Sequence, residues 1–159
     1  MRWIKFGIIG FLFFFAILTA LSLLIPSHIR ISKAVSLNQP PDSLFQLIND
    51  VSQWPRWHPA LQGPQGVTWI EKNKAQLVRV VSTDSLVVFN WQQPGKQAVV
   101  NGWQLHRFNT ADSVALQWYM DFQLQWYPWQ KFGSLLYEGT YGRMMEQGLQ
   151  NIKKLAQKQ

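Results

Sequence analysis

Three histidines are the residues of this 159-residue chain that are best suited to acid–base or metal chemistry. His28 follows a long apolar run, His58 follows a pair of tryptophans, and His106 lies in a strand-like stretch. None has another histidine or a carboxylate at metal-ligand spacing, so we expect no metal site. His58 is the best acid–base candidate, because the aromatic turn beside it would flank a cavity mouth. The simpler interpretation is an ordinary loop histidine.

Other chemistries have few candidate residues. The chain has no cysteine, no G-x-S-x-G nucleophile motif and no glycine-rich phosphate loop, so we predict no cofactor and no catalytic residue set. Asp50 is expected to cap the turn that follows it, with catalysis as the second reading. Asp121 is expected to face solvent from a strand. Glu138 and Arg107 are expected to form surface ion pairs.

Aromatic residues are the other candidates for a site, since ligand pockets are mostly apolar with a few polar groups. Together with His58, the candidate ligand-binding residues are Trp54, Trp57, Phe89, Trp91, Trp103, Trp118 and Phe122. The same side chains would serve equally well to fill a core, and most of them are expected to do so.

Residues 129–158 predict a long C-terminal helix, because apolar or small residues recur every three or four positions. The expected buried face consists of Phe132, Leu136, Gly139, Gly142, Met145, Leu149, Ile152 and Ala156. Glycine within a helix costs about 1 kcal/mol relative to alanine, so Gly139 and Gly142 on this face need a reason. Either close packing or local fraying explains them, or they leave a hollow for a ligand, and we include both glycines among the candidate ligand-binding residues.

The middle of the chain alternates with the period of two that is typical of strands. Strand candidates are residues 29–37, 67–71, 75–82, 86–91, 98–108 and 113–126, joined by short turns. In the last of these, every even-numbered residue from Val114 to Trp126 is apolar. Short connections indicate an antiparallel sheet with one dry face, and only the C-terminal helix is long enough to cover it. Residues 41–50 predict a short helix, followed by a second short turn that Pro59 ends.

The chain begins with a membrane-type segment. Residues 6–25 form twenty residues without a charge, which as a helix would span about 30 Å, the thickness of the hydrocarbon core of a bilayer. A cleaved signal peptide is the alternative, but its apolar core is usually only about 7–15 residues long. We therefore divide the chain into an anchor and linker, 1–27, and a folded domain, 28–159. This predicts a single-pass protein of the bacterial inner-membrane type, with the side of the domain left open.

The charge distribution argues against nucleic acid as a partner. The formal net charge is +7, yet only 14% of the residues are charged, and the basic residues are scattered. A mild attraction to anionic lipid headgroups is the more economical interpretation, so membrane lipid is an expected partner.

The order strand, two short helices, antiparallel strands and long helix resembles the helix-grip fold of the START-like (SRPBCC) superfamily, in particular the polyketide cyclase/dehydrase and lipid-transport family. The resemblance covers residues 29–158. It depends on two sets of residues: Pro41, Phe45, Asp50, Val51, Trp54, Trp57 and Pro59 near the start, and Gly148, Leu149, Asn151 and Lys153 in the last helix. It implies an α+β fold in which a curved sheet wraps around the last helix and encloses a cavity for a hydrophobic ligand.

These observations predict a membrane-anchored binding protein for a hydrophobic, lipid-like or aromatic small molecule. One alternative is a cyclase or dehydratase in which His58 or Asp50 moves a proton. Another is a protein-interaction module at the membrane. The sequence does not predict an oligomeric state.

Overall fold

The computed structural model describes residues 2–37, 41–63, 74–107 and 114–157. The helices are α1 (Arg2–Ser22), α2 (Pro41–Asn49), α3 (Trp54–Trp57), α4 (Pro128–Ser134) and α5 (Arg143–Ala156). The strands are β1 (His28–Leu37), β2 (Gln76–Ser82), β3 (Leu86–Gln92), β4 (Val99–Arg107) and β5 (Val114–Gln123). Short 3₁₀ turns flank α3 at Val51–Gln53 and Pro59–Leu61. The predicted strand at 67–71 lies outside the described residues.

The five strands form one antiparallel, curved sheet in the order β1-β5-β4-β3-β2. As predicted, β5 turns its even-numbered side chains inward, and Val114, Leu116, Trp118, Met120 and Phe122 are all buried. The pattern ends where the strand ends at Gln123. Trp126, which the alternation places inside, is exposed, because it belongs to the following turn.

Helix α5 covers the dry face of the sheet and carries the buried residues Met145, Leu149, Ile152 and Ala156, as predicted. This arrangement is the α+β helix-grip fold that the resemblance implies. Asp50 also has the expected role, since its carboxylate accepts a hydrogen bond from Ser52 N at 3.0 Å and caps the turn after α2.

The prediction of one continuous helix over 129–158 is wrong. Helix α4 ends at Ser134, and a π-helical segment, Glu138–Gly142, precedes α5. A π-helical turn contains more residues than an α-helical turn, so a face extrapolated backward at α-helical spacing falls out of register. Phe132 and Leu136 are consequently exposed, whereas Tyr137 and Tyr141 pack against the core.

Gly139 and Gly142, which were predicted to leave a hollow for a ligand, do not border an apolar hollow. Gly139 is exposed, and a Cβ there would approach only the Arg143 side chain, at 3.8 Å. Gly142 is buried, but a Cβ there would meet the Glu138 carboxylate at 3.0 Å and Lys33 Cε at 3.1 Å. Gly142 therefore faces an ion-paired side chain and not an apolar hollow.

Three charged residues of the sheet, Arg30, Lys33 and Asp121, have ion-pair partners. Asp121 does not remain solvated as predicted, because Arg30 Nε and Nη2 donate to its two carboxylate oxygens, each at 2.6 Å. Lys33 Nζ lies 2.8 Å from Glu138 Oε1 and 2.9 Å from Glu146 Oε1, which links β1 to the C-terminal helical region. The expected surface pairing of Glu138 is thus present, with Lys33 as its partner.

Helix α1 precedes the domain. Residues 3–22 are long and apolar enough to cross a membrane, and this segment is the only one of that kind in the described part of the chain.

Candidate functional site

Four tryptophans pack together between the sheet and the helices. We call Trp54, Trp57, Trp103 and Trp118 the tryptophan cluster. All four are fully buried. Their rings contact one another, with centroids 5.2 Å apart for the stacked pair Trp103–Trp118 and for the edge-on pair Trp54–Trp103. Such arrangements add to the stabilisation from buried area alone. The cluster therefore fills the core, and it lies outside the cavity described below.

The last turn of α2 positions two members of the cluster. Trp54 Nε1 donates to Ile48 O at 2.8 Å, and Trp57 Nε1 donates to Leu47 O at 3.0 Å. These carbonyls belong to the end of a helix, where backbone acceptors lack partners within the helix. From the other side, Asn151 Nδ2 of α5 donates to Trp57 O at 3.0 Å. Two hydrogen bonds thus join α3 to α2, and a third joins α3 to α5.

His58 lies at the edge of the tryptophan cluster and is only 2% exposed. Its ring is stacked on Trp54, with centroids 5.7 Å apart and planes 4° apart, and it also contacts Trp118 at 5.2 Å. Its Nδ1 atom is buried without a hydrogen-bond partner among the described residues. Burial lowers the pKa of His58 to about 4, so the imidazole is neutral at pH 7.

A cavity of about 1000 Å³ lies beside His58, between the sheet and the C-terminal helical region. Its buried lining includes His58, Asn101, Met120 and Phe122. The remaining described lining residues are Ala60, Trp91, Gln93, Gly95, Lys96, Gln97, Ala98, Val99, Gln123, Leu124, Gln125, Tyr127, Gln130, Tyr137, Tyr141 and Met144. This volume is at the upper end of the range for small-molecule sites.

The inner part of the cavity lining is apolar, and the part around the opening is polar. Phe122 packs against Tyr137 and Tyr141, with ring centroids 4.8 Å apart in both cases, and Met120 and Met144 complete the apolar part. Glutamines and the exposed Lys96 surround the opening. Lys96 is the only charged residue among the described lining, and burial raises the pKa of Tyr141, which keeps its hydroxyl neutral. The interior is therefore uncharged at neutral pH.

The structure separates the predicted site residues into two groups. His58, Trp91 and Phe122 line the cavity. Trp54, Trp57, Phe89, Trp103 and Trp118 lie in the packed core beside it, and Gly139 and Gly142 are also outside the described lining. The cavity thus begins where the tryptophan cluster ends.

Several residues of the lining, above all Tyr137, Tyr141 and Met144, were not among the residues predicted from the sequence. The π-helical segment turns their face toward the core, in place of the face that uniform spacing extrapolates backward from α5. A usable signal was present in the spacing of the two tyrosines, four residues apart, followed by Met144 three residues later. That series is a second apolar stripe, offset by one position from the stripe that we predicted to be buried.

His58 should make the stability of the fold depend on pH. Its ordinary pKa is about 6.5, so the unfolded chain binds a proton that the folded chain, with a pKa of about 4, excludes. The neutral histidine thus contributes stability above about pH 6.5, and this contribution is lost as the pH falls toward 4. From pH 7 to pH 5 the free energy of unfolding should fall by about 2 kcal/mol from this group.

Denaturant unfolding at a series of pH values checks this expectation. His58→Phe keeps an aromatic ring but cannot titrate, so its stability should vary less between pH 5 and pH 7 than that of the wild type. Parallel curves for His58→Phe and the wild type would contradict the assignment.

Comparison with solved structures gives the same fold at low sequence identity. The di-domain ARO/CYC StfQ from the steffimycin biosynthetic pathway is 11% identical, with a TM-score of 0.59 over 82% of this chain and 52% of that chain. A START superfamily protein from Mycobacterium smegmatis is 12% identical, with a TM-score of 0.56 over 81% and 97%. The Zhui aromatase/cyclase from Streptomyces sp. R1128 is 15% identical, with a TM-score of 0.53 over 82% and 94%. The chain thus spans about half the length of StfQ.

The sequence comparisons differ in outcome. No curated protein sequence matches the chain. Residues 28–157, which include every described strand and helices α2 to α5, match the profile of a family described as polyketide cyclase / dehydrase and lipid transport. The chain belongs to this family.

Proposed function

We propose that the protein is a membrane-anchored binding protein that holds a hydrophobic small molecule in the cavity between its sheet and its C-terminal helical region. The observation that carries this proposal is the apolar interior formed by Met120, Phe122, Tyr137, Tyr141 and Met144, in a cavity of about 1000 Å³. Burial of apolar ligand surface is the main favourable term in such sites. The aromatic and methionine side chains suit a lipid-like or an aromatic molecule.

The polar groups of the cavity indicate how a ligand would be oriented. His58 Nδ1 is buried without a partner among the described residues, and Asn101 Nδ2 makes only a long contact of 3.4 Å with Val99 O. A ligand hydroxyl or carbonyl that reached these atoms would satisfy them, which is favourable because unpaired buried polar groups are costly. The one charged side chain of the described lining, Lys96, is exposed, whereas His58 and Asn101 are buried. The inner end of the ligand is therefore polar but uncharged.

The anchor is the second part of the proposal. Residues 3–22 form an uninterrupted helix of membrane-spanning length, and residues 3–17 are all exposed in the folded chain. An apolar helix of this length that no protein surface covers is favoured in a bilayer. The connection to β1 consists only of residues 23–27, so the domain would remain at the membrane surface.

A cyclase or dehydratase reaction in the same cavity is the second candidate, and His58 in the cavity wall is the observation that favours it. With its pKa lowered to about 4, His58 is unprotonated at pH 7 and would act as a proton acceptor and not as a donor. A general acid–base group works best with a pKa near the working pH, so this shift favours binding over catalysis.

Photolabelling of the full-length protein tests the binding proposal. A palmitate analogue that carries a diazirine on its acyl chain is added to protein in vesicles, activated with light, and mapped by peptide mass spectrometry. We expect labels on cavity residues such as Met120 and Met144, in addition to labels on α1 from probe dissolved in the bilayer. Labels confined to α1 would contradict the proposal.

A matched pair of variants locates the labelled site. Met144→Trp places a large ring in the cavity and should remove the cavity labels, whereas Gln147→Trp adds the same ring at an exposed position of α5 and should leave them unchanged. Equal unfolding midpoints for the two variants would show that Met144→Trp acts by filling the cavity. Cavity labels that persist in Met144→Trp would place the probe elsewhere.

A further inference from the structure

Lys131, in α4, binds the connection between α1 and β1, residues 23–27, through two hydrogen bonds. Its side chain is 3% exposed, and Nζ donates hydrogen bonds to Ile25 O and Ser27 Oγ, each at 2.7 Å. Leu124 N donates to Ser27 O at 2.7 Å, so the chain just beyond β5 holds the same connection. A buried ammonium group needs such polar partners. Specific hydrogen bonds therefore hold the connection that follows α1 against α4 and the end of β5.

The burial pattern of α1 identifies the part that meets the domain. Residues 3–17 are exposed, Leu18 and Thr19 are half-buried, and Ser22 is fully buried. Helices α1 and α4 are in contact. Since the span runs from Trp3 to Ser22, α4 lies beside its last turns, at the level where a spanning helix leaves the hydrocarbon core.

Apolar side chains cover the outside of α4 and its flanks. We call Trp126, Trp129, Phe132, Leu135 and Leu136 the α4 band. Trp126 is 59% exposed, Trp129 is 62% exposed and Leu136 is 71% exposed. Leu23 and Leu24, directly after α1, are exposed beside the same connection. Between Asp121 and Glu138 the sequence has one charged residue, Lys131, whose ammonium group is turned inward.

The cavity lies behind the same segment. Tyr127 and Gln130 contribute to its lining, and the Tyr127 ring is stacked on Trp129, with centroids 4.8 Å apart. The first residue of β1, His28, pairs with Gln123 at the end of β5, so these strand ends are the part of the sheet nearest to α1. The exposed lining residues Gln97, Gln123 and Gln125 lie at these strand ends, whereas the buried lining lies farther along the strands.

We propose that the α4 band is a second membrane contact, which lies in the interfacial layer of the bilayer that α1 spans and holds the cavity mouth against it. The ligand is then a lipid that resides in the bilayer and enters the cavity from the membrane, and not a solute collected from water. Tryptophan is favoured at this layer because it combines a large apolar ring with one polar group. The proposal rests on the proposed function, since it takes α1 as a membrane span and the cavity as a binding site.

Spin labels on the full-length protein test the membrane contact. The chain has no cysteine, so single cysteines introduced by Leu136→Cys or by Val80→Cys can carry one nitroxide each. Val80 is an exposed apolar residue of β2, the strand at the sheet edge opposite β1. In vesicles of phosphatidylcholine and phosphatidylglycerol, the Leu136 label should be relaxed mainly by lipid-soluble oxygen. The Val80 label should be relaxed mainly by a water-soluble nickel chelate.

Uptake of the diazirine palmitate from these vesicles tests the lipid route. The double variant Trp129→Gln/Leu136→Gln should slow the labelling of cavity residues by about tenfold, because it weakens the interfacial contact. Val78→Gln/Val80→Gln replaces two exposed apolar residues of β2, away from the α4 band, and should label at the wild-type rate.

Flotation of the vesicles separates the possible failures. Protein that does not float with lipid overturns the anchor in the proposed function, and this proposal with it. Protein that floats and labels in the cavity, but with Leu136 as accessible to the nickel chelate as Val80, overturns this proposal alone. Labelling of the Trp129→Gln/Leu136→Gln variant at the wild-type rate also overturns it, because uptake would then not depend on the α4 band.

Discussion

Phe122→Ala should lower the free energy of unfolding by about 3–5 kcal/mol, the usual range for a buried phenylalanine. The ring points inward from β5, is 5% exposed and packs between Tyr137 and Tyr141, with centroids 4.8 Å from each. Removal of the ring deletes the apolar contact between the sheet and the π-helical segment. It also enlarges the adjoining cavity, which the neighbouring side chains cannot close.

Gln123→Ala is the matched control for this change. Gln123 is the next and last residue of β5 and is exposed, so the stability should change by less than about 0.5 kcal/mol. Denaturant unfolding of both variants, followed by tryptophan fluorescence, measures the difference. Similar losses in the two variants would mean that the face of β5 is wrongly assigned.

The strands were predictable because alternation is a strong signal where one face of a sheet is buried. The even-numbered residues of β5 illustrate this, since each of them from Val114 to Phe122 is buried. The alternation continues in the sequence to Trp126, however, and nothing in the residue types shows that the strand ends at Gln123. The end is set by the tertiary fold, in which the following residues turn toward α4 and the α1 connection.

The C-terminal helical region shows the limit of periodicity. The spacing predicted the buried residues of α5 from Met145 to Ala156, because that part is a regular α-helix. Upstream of it, the π-helical segment changes the relation between sequence position and face, so Phe132 and Leu136 were placed inside although they are exposed. Tyr137, Tyr141 and Met144 also lie at intervals of four and three, so a count of such intervals does not decide which of the two stripes is buried.

The candidate site was predictable only in part, because sequence identifies aromatic residues but not the boundary between a filled core and a cavity. Trp118 and Phe122 lie on the same face of β5, four residues apart. Trp118 is enclosed by the tryptophan cluster, whereas Phe122 borders the cavity. What separates them is the packing of α3 and α5 against one end of the sheet, which depends on contacts between residues distant in sequence.

Gly148, in α5, has a clear packing role. A Cβ at this position would lie 2.7 Å from Cζ3 of Trp118 and 3.3 Å from Cδ of Pro59, so α5 approaches the tryptophan cluster as closely as a residue without a side chain allows. Trp118 is fully buried and stacked on Trp103, and therefore has no space into which to move.

Gly148→Leu should for this reason destabilise the fold by about 3 kcal/mol or more, at or beyond the upper end of the usual range for overpacking. The gain of nearly 1 kcal/mol in helix propensity offsets only part of this loss. Gly139→Leu makes the same chemical change at an exposed position, where a Cβ meets only the Arg143 side chain, and should alter stability by less than about 1 kcal/mol. The measurement is the denaturant midpoint of each variant.

If Gly148→Leu unfolded at the same denaturant concentration as Gly139→Leu, the Trp118 ring would have to be free to move. The tryptophan cluster would then not be the rigid wall on which the shape of the neighbouring cavity depends.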